Sequence, residues 1–164
     1  MTVLVCGPES SGKSTLARNL AWATDGLYVA EQARPWLNAR GGRYEEKDLL
    51  TFLHLQREAE RTARARSASY VFCDTGPVNL YIWSQVKYGR VAPELEAAVS
   101  RLDYDLVLLC APDLPYIPDP LRESPATGAR WDLFKRYRPI LWEDRPVKII
   151  RGGARTETAL RYLI

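Results

Sequence analysis

The chain has one histidine and three cysteines in 164 residues, and no Cys-x-x-Cys pair. That leaves little with which to build a zinc site. Cys6, Cys73 and Cys110 are widely separated, and each closes a short apolar run. They read as buried, reduced thiols of a reducing compartment, not as disulfide partners, so a cytoplasmic location is the expectation. No apolar run approaches the about 20 residues that a membrane helix needs, and no membrane partner is expected. The first residues read directly as a strand, so no secretory leader is expected. One-sided charge is also scarce: 23 Lys and Arg against 20 Asp and Glu give a net charge of +3. That excess is too thin to argue for nucleic acid, which wants a dense basic stripe. The arginines between positions 57 and 66 alternate with Glu58, Glu60 and alanine and read as a solvated helix face.

What is present is concentrated at the amino end. Gly7-Pro8-Glu9-Ser10-Ser11-Gly12-Lys13-Ser14 matches the phosphate-loop pattern G-x-x-x-x-G-K-[ST] at every fixed position. The preceding Thr2-Val3-Leu4-Val5-Cys6 is apolar and rich in β-branched residues, which predicts a buried strand. From Thr15 to Ala21 the pattern predicts a helix with Leu16 and Leu20 on one face. Strand, glycine loop and helix together give the pattern a mechanism. Gly7 and Gly12 permit backbone angles that turn successive N–H groups toward one point. The helix begins there, and its unpaired N–H groups and dipole favour an anion. Lys13 adds a mobile cation for the outer phosphates, and the Ser14 hydroxyl is the expected ligand for Mg²⁺. The guanine-reading Asn-Lys-x-Asp motif is missing, which argues against a GTPase switch.

Further strands are expected over 27–30, 70–73, 106–110 and 147–150. Helices are expected over 45–66, 77–88, 93–102 and 131–143, with a short one from Thr156 onward, and Gly89 is the stop of the second. Strands alternating with helices imply an α/β architecture built on a mainly parallel five-stranded sheet, in one domain over 1–164. A proline-rich stretch with little periodicity, about 111–130, has a length usually reserved for lids and binding segments.

Asp74 ends a buried strand at the sheet edge that opens toward the phosphate loop. It is the expected second handle on Mg²⁺, with a helix cap before Pro77 as the alternative. Glu31 and Arg34 follow the second strand at the same edge. A carboxylate there could accept a hydrogen bond from a sugar hydroxyl or act as its general base, and a surface ion pair is the alternative. Either Asp74 or Glu31 could orient or deprotonate an acceptor. Trp36 and Tyr44 could stack on a base or pack in a core. His54 reads as a packed or solvent-edge side chain. Asp119, Arg122 and Arg130 lie in or next to the lid, where a mobile arginine could neutralise a phosphoryl group in transfer.

These residues together resemble a family, the nicotinamide riboside kinase domain of NadR-type proteins and its stand-alone relatives among P-loop kinases. The likeness covers nearly the whole chain: the loop through Leu16, Glu31 with Ala33-Arg34, Asp74-Thr75, Ile82-Trp83-Ser84, Tyr104-Asp105-Leu106, and Pro112-Asp113-Leu114-Pro115 running to Asp119-Pro120-Leu121-Arg122. The resemblance implies a P-loop NTPase fold and ATP- and Mg²⁺-dependent phosphorylation of the ribose 5′-hydroxyl of nicotinamide riboside. It carries over Lys13, Ser14 and Asp74 as phosphate and metal ligands. Glu31 and Arg34 fall on the acceptor side, and Asp119 and Arg122 near the lid. Gln32, Pro35 and Gly76 depart from the family pattern, all near the acceptor. Any adenylyl transfer is expected from another protein. The rivals are a kinase for another nucleoside, nucleotide or polynucleotide 5′-hydroxyl, and a regulatory ATPase with no small acceptor.

Overall fold

Five short apolar runs lie side by side and parallel in the computed structural model, which describes residues 1–121, 127–141 and 146–163. They are β1 (Thr2–Cys6), β2 (Leu27–Val29), β3 (Val71–Asp74), β4 (Leu106–Cys110) and β5 (Val147–Ile150), in the order β2-β3-β1-β4-β5. β1 and β4 are continuous apolar runs because both of their faces are covered. Along β1 the alternation sorts the faces. Val3 and Val5 pack with Leu16, Leu20, Phe72, Leu108 and Ile150 under α1 (Lys13–Ala23) and α7 (Arg155–Leu160). Leu4 and Cys6 point the other way, into a core with Val78, Ile82, Phe134 and Leu141 from α4 (Pro77–Tyr88) and α6 (Thr127–Leu141). A third cluster joins α2 (Ala33–Ala39), α3 (Asp48–Arg64), α4 and α5 (Pro93–Ser100) around Leu37, Phe52, Leu80 and Leu95.

Register carries the functional consequence. Val5 is paired with Asp74 and Cys6 with Leu109, so the carboxyl ends of three strands meet where the loop after β1 begins. The expected bounds of β1, β4, β5 and α4 agree with those observed. α4 is bracketed by Pro77 in its first turn and by Gly89, whose φ of 68° lets the chain turn out of the helix. Elsewhere the expectation needs correction. α3 ends at Arg64 and α5 at Ser100. α6 starts at Thr127, so Arg130 sits on a helix and not in the loop. The three cysteines are buried and free, on three adjacent strands. Burial pushes the Cys110 thiol up to about 11 and that of Cys6 higher still, so neither is a nucleophile.

Candidate active site

Over the carboxyl edge of the sheet lies a cavity of about 640 Å³ lined by the whole run Gly7–Thr15 together with Glu31, Arg34, Asp74 and Asp119. Gly7 is the residue on which the loop turns. Its φ is 137°, and a Cβ there would stand 2.5 Å from the Cys110 carbonyl oxygen, a backbone atom that cannot step aside. Gly12 (φ 76°) hands the chain into α1, and Ser10 holds a left-handed φ of 52° without being glycine. Such strain, about 1–3 kcal/mol at a non-glycine residue, persists only where neighbours enforce it. Here the Ser10 hydroxyl accepts from the Ile117 N–H at 2.8 Å, and the Ser11 hydroxyl donates to the Pro8 carbonyl at 2.7 Å. Lys13 Nζ donates to the same carbonyl at 2.7 Å, which keeps the ammonium folded over the loop.

Two side chains that sequence reasoning passed over brace the loop from behind. Tyr137 on α6 donates its hydroxyl to the Gly7 carbonyl at 2.9 Å, and Asn79 on α4 donates Nδ2 to the Tyr137 oxygen at 3.0 Å. Burial holds the Tyr137 hydroxyl well above its ordinary pKa, so it remains a donor. A polar Asn in the first turn of an apolar helix was the available signal for Asn79; nothing local marked Tyr137.

Asp74 is 1% exposed. Its Oδ2 accepts from the Tyr28 hydroxyl at 2.9 Å, whereas its Oδ1 is buried and has no hydrogen-bond partner among the described residues. A buried acceptor left bare costs about 1–3 kcal/mol, more if charged, and its complement is a cation or a cation's water. The backbone holds the carboxylate there. Thr75 has a left-handed φ of 67°, and its N–H bonds the Val5 carbonyl at 2.9 Å. Ser14 lines the same cavity. One carboxylate and one hydroxyl, completed by waters and phosphate oxygens, are a donor set that Mg²⁺ accepts, so the residues fit the ion.

On the other wall, Arg34 is the hub. Its Nη1 meets Asp119 Oδ2 at 2.9 Å, and its Nε lies 3.6 Å from Glu31 Oε2. This brings together helix α2, the turn after β2 and the proline-rich segment. The Glu31 carboxyl is raised above its ordinary value: burial is the chief cause, opposed by Lys13 and reinforced by Asp74. Trp36 does not line the cavity; it packs edge-on to Phe52, with the Arg40 guanidinium 3.7 Å above its ring. Tyr28 and Tyr137 line the cavity too, and on the α2–α4 side the aromatic lining is Tyr44 and Trp83, whose centroids are 6.3 Å apart, with the Lys87 ammonium 3.5 Å over Tyr44. His54 is at the solvent edge, 3.1 Å from Glu94.

Arg130 is 2% exposed and is absent from the cavity lining. Its Nη1 donates to the carbonyls of Leu114 (3.2 Å) and Ser10 (3.4 Å), tying the proline-rich segment to the phosphate loop. Arg122 lies outside the described residues.

A family model described as an AAA domain matches residues 2–155. The trifunctional NAD biosynthesis/regulator protein NadR of Escherichia coli (strain K12) is 26% identical over 156 residues, 92% of this chain and 37% of that protein. The NadR of Salmonella typhimurium (strain LT2) is 28% identical over 74% of this chain and 30% of that protein. The chain thus spans about a third of the length of these curated relatives. A crystal structure of NadR in complex with NR superposes with a TM-score of 0.71 at 19% identity, over 94% of this chain and 44% of that one. A deoxyadenosine kinase from M. mycoides, with dCMP and a flexible dCDP bound, gives a TM-score of 0.70 at 13% identity, over 99% and 98% of the two chains. The fold shared with these structures is that of the P-loop kinases, as the sequence pattern implied.

Proposed function

The chain belongs to the AAA domain family, and from that premise we propose that it is an ATP- and magnesium-dependent kinase that phosphorylates the ribose 5′-hydroxyl of nicotinamide riboside to give nicotinamide mononucleotide. One observation carries the reading: a single cavity holds the phosphate loop with Lys13 on one wall and the Glu31–Arg34–Asp119 chain on the other, with Asp74 between strand ends. A regulatory ATPase would need the first wall and not the second.

Each residue then has a task. The amides of 7–14 and the Lys13 ammonium grip the β- and γ-phosphates of ATP. Ser14 and Asp74 would hold Mg²⁺, which when bound neutralises charge on the phosphate oxygens. Tyr28 already occupies one oxygen of Asp74, and the other is the one left for the ion. That leaves Glu31 as the base. Its raised pKa makes it a better proton acceptor than an exposed carboxylate, and Arg34 fixes its direction. Glu31 takes the proton from the acceptor hydroxyl, the hydroxyl oxygen bonds the γ-phosphorus, and the bond from that phosphorus to the β-bridging oxygen breaks to release ADP. The partner is a small nucleoside, with no membrane or nucleic acid required.

A second reading, a kinase for a nucleoside with a neutral base, is favoured by one contact. Lys87 covers the Tyr44 face that a cationic nicotinamide ring would want. Incubation with labelled ATP, Mg²⁺ and a nucleoside panel separates the readings. Label on nicotinamide riboside supports the first and label on neutral nucleosides the second. Label released only as free phosphate rejects both in favour of the ATPase. Lys13→Ala should lower transfer at least about 100-fold, the scale of losing one charge contact in the transition state, with unchanged circular dichroism.

A further inference from the structure

One turn along α3 from the side chain that meets the active-site wall lies a carboxylate that the reaction scheme does not use. Glu60 is 5% exposed, deep between α3 and the sheet. The Tyr104 hydroxyl sits 3.0 Å from each of its oxygens, and Gln56, one turn earlier on α3, donates Nε2 to Oε1 at 3.2 Å. The other end of the Gln56 amide faces the active-site wall, where Oε1 accepts the Gln32 backbone N–H at 3.1 Å. Gln32 in turn donates its side-chain Nε2 to the Ala30 carbonyl at 2.8 Å. Glu31 sits between those two anchors.

The chemistry of the groups makes this chain directional. An ionised carboxylate only accepts hydrogen bonds, and a backbone N–H only donates. A glutamine between them must turn its NH₂ toward Glu60 and its carbonyl toward Gln32; the reverse orientation fails at both ends. Gln56 is 4% exposed, so no bulk water relieves a wrong orientation. We propose that Glu60 is a positioning residue: by fixing the Gln56 amide it pins the Gln32 N–H, and so the turn after β2 that aims Glu31 at the acceptor hydroxyl. The catalytic part of this inference rests on the reading of Glu31 as the base; the structural part does not.

Glu60→Gln keeps the shape and removes the acceptor-only end, so the Gln56 amide loses one of the two contacts that fix its orientation. Gln32 amide exchange, followed by NMR on the full chain, should speed about 10-fold in this variant, while amides of β3 and β1 keep their protection. In the kinase assay, kcat should fall about 10-fold with KM for ATP within twofold of the parent. In a Glu31→Gln background, Glu60→Gln should add no further loss, because the residue it positions is already gone. Tyr104→Phe loosens Glu60 with almost no change in volume and should give a smaller shift, about threefold, in the same two readouts; it serves if Glu60→Gln does not fold. The proposal is overturned if Gln32 exchange is unchanged in the folded variant, or if the Glu31 and Glu60 losses multiply. Should no nucleoside be phosphorylated at all, the reading of the site fails, and the exchange experiment still decides whether the relay exists.

Discussion

Glu31 and Asp74 stand at the same edge of one sheet, yet their surroundings differ. Asp74 has one oxygen satisfied by Tyr28 and one bare among the described residues, as the proposed contact to Mg²⁺ requires. Glu31 is held by the Arg34 guanidinium and has a pKa raised mainly by burial, which suits the proposed role of base. Glu60 is raised for the same chief reason, although Gln56 and Tyr104 oppose it. A raised folded pKa has a defined sign in stability. The contribution is fully present below the ordinary value of 4.5 and is lost as pH climbs through the folded value. The urea midpoint of the parent should therefore fall across that window, and Glu60→Gln should flatten the fall. A variant whose midpoint tracks the parent's at every pH would show that burial does not penalise the charged Glu60.

Among the elements, the proline-rich segment after β4 owes its position to contacts at both ends. At its root Asp113 accepts from Arg155, which is 5% exposed and also donates to the carbonyls of Ala111 and Ile150. The Gly152 N–H adds a bond to Asp113 at 2.9 Å. Further along, Ser10 and Arg130 hold the segment against the phosphate loop, and Asp119 reaches Arg34. Removing the buried guanidinium leaves the carbonyls of Ala111 and Ile150 without their donor and the partly exposed Asp113 without its partner, so Arg155→Ala should cost about 3 kcal/mol. In a chain of this size that corresponds to a melting temperature lower by about 6–12 °C, read by calorimetry. Arg155→Lys, which keeps the charge, should recover part of it. An unchanged melting temperature in Arg155→Ala would mean that the pair contributes nothing to the folded state.

For the molecule as a whole, stability and ligand binding are one problem, because the loop that would bind phosphate is the connection between the central strand and the helix covering it. A ligand that binds only the folded chain stabilises it by about 2.7 kcal/mol at a hundred times its dissociation constant. An ATP analogue with Mg²⁺ should raise the melting temperature by about 5–11 °C. The same addition to Lys13→Ala should raise it by less than about 2 °C. Equal shifts in the two proteins would place the nucleotide elsewhere than the loop.

Legibility followed the range of the contacts. The phosphate loop was readable because its parts lie within eight positions and its strand and helix flank it directly. The ends of α4 were readable because proline and glycine stop helices by local sterics. Glu31, Arg34 and Asp74 were readable as positions at strand ends, with Asp74 expected on Mg²⁺ and the choice of base left open between Asp74 and Glu31. The start of α6 was missed because a run of prolines masked the helix that begins at Thr127. Trp36 and Tyr44 could not be told apart, since a tryptophan in a wall and one in a core have the same spacing.

By itself the sequence determined the alternation of strands and helices, the parallel sheet and the anion-binding loop, because these follow from apolar period, β-branching and the steric freedom of glycine. Only the folded chain decided which groups meet across 46 residues, as the side chains of Tyr28 and Asp74 do, or across 130, as the Tyr137 hydroxyl and the Gly7 carbonyl do. Burial, orphaned oxygens and shifted pKa values arise from such meetings, and a linear order of residues carries no record of them.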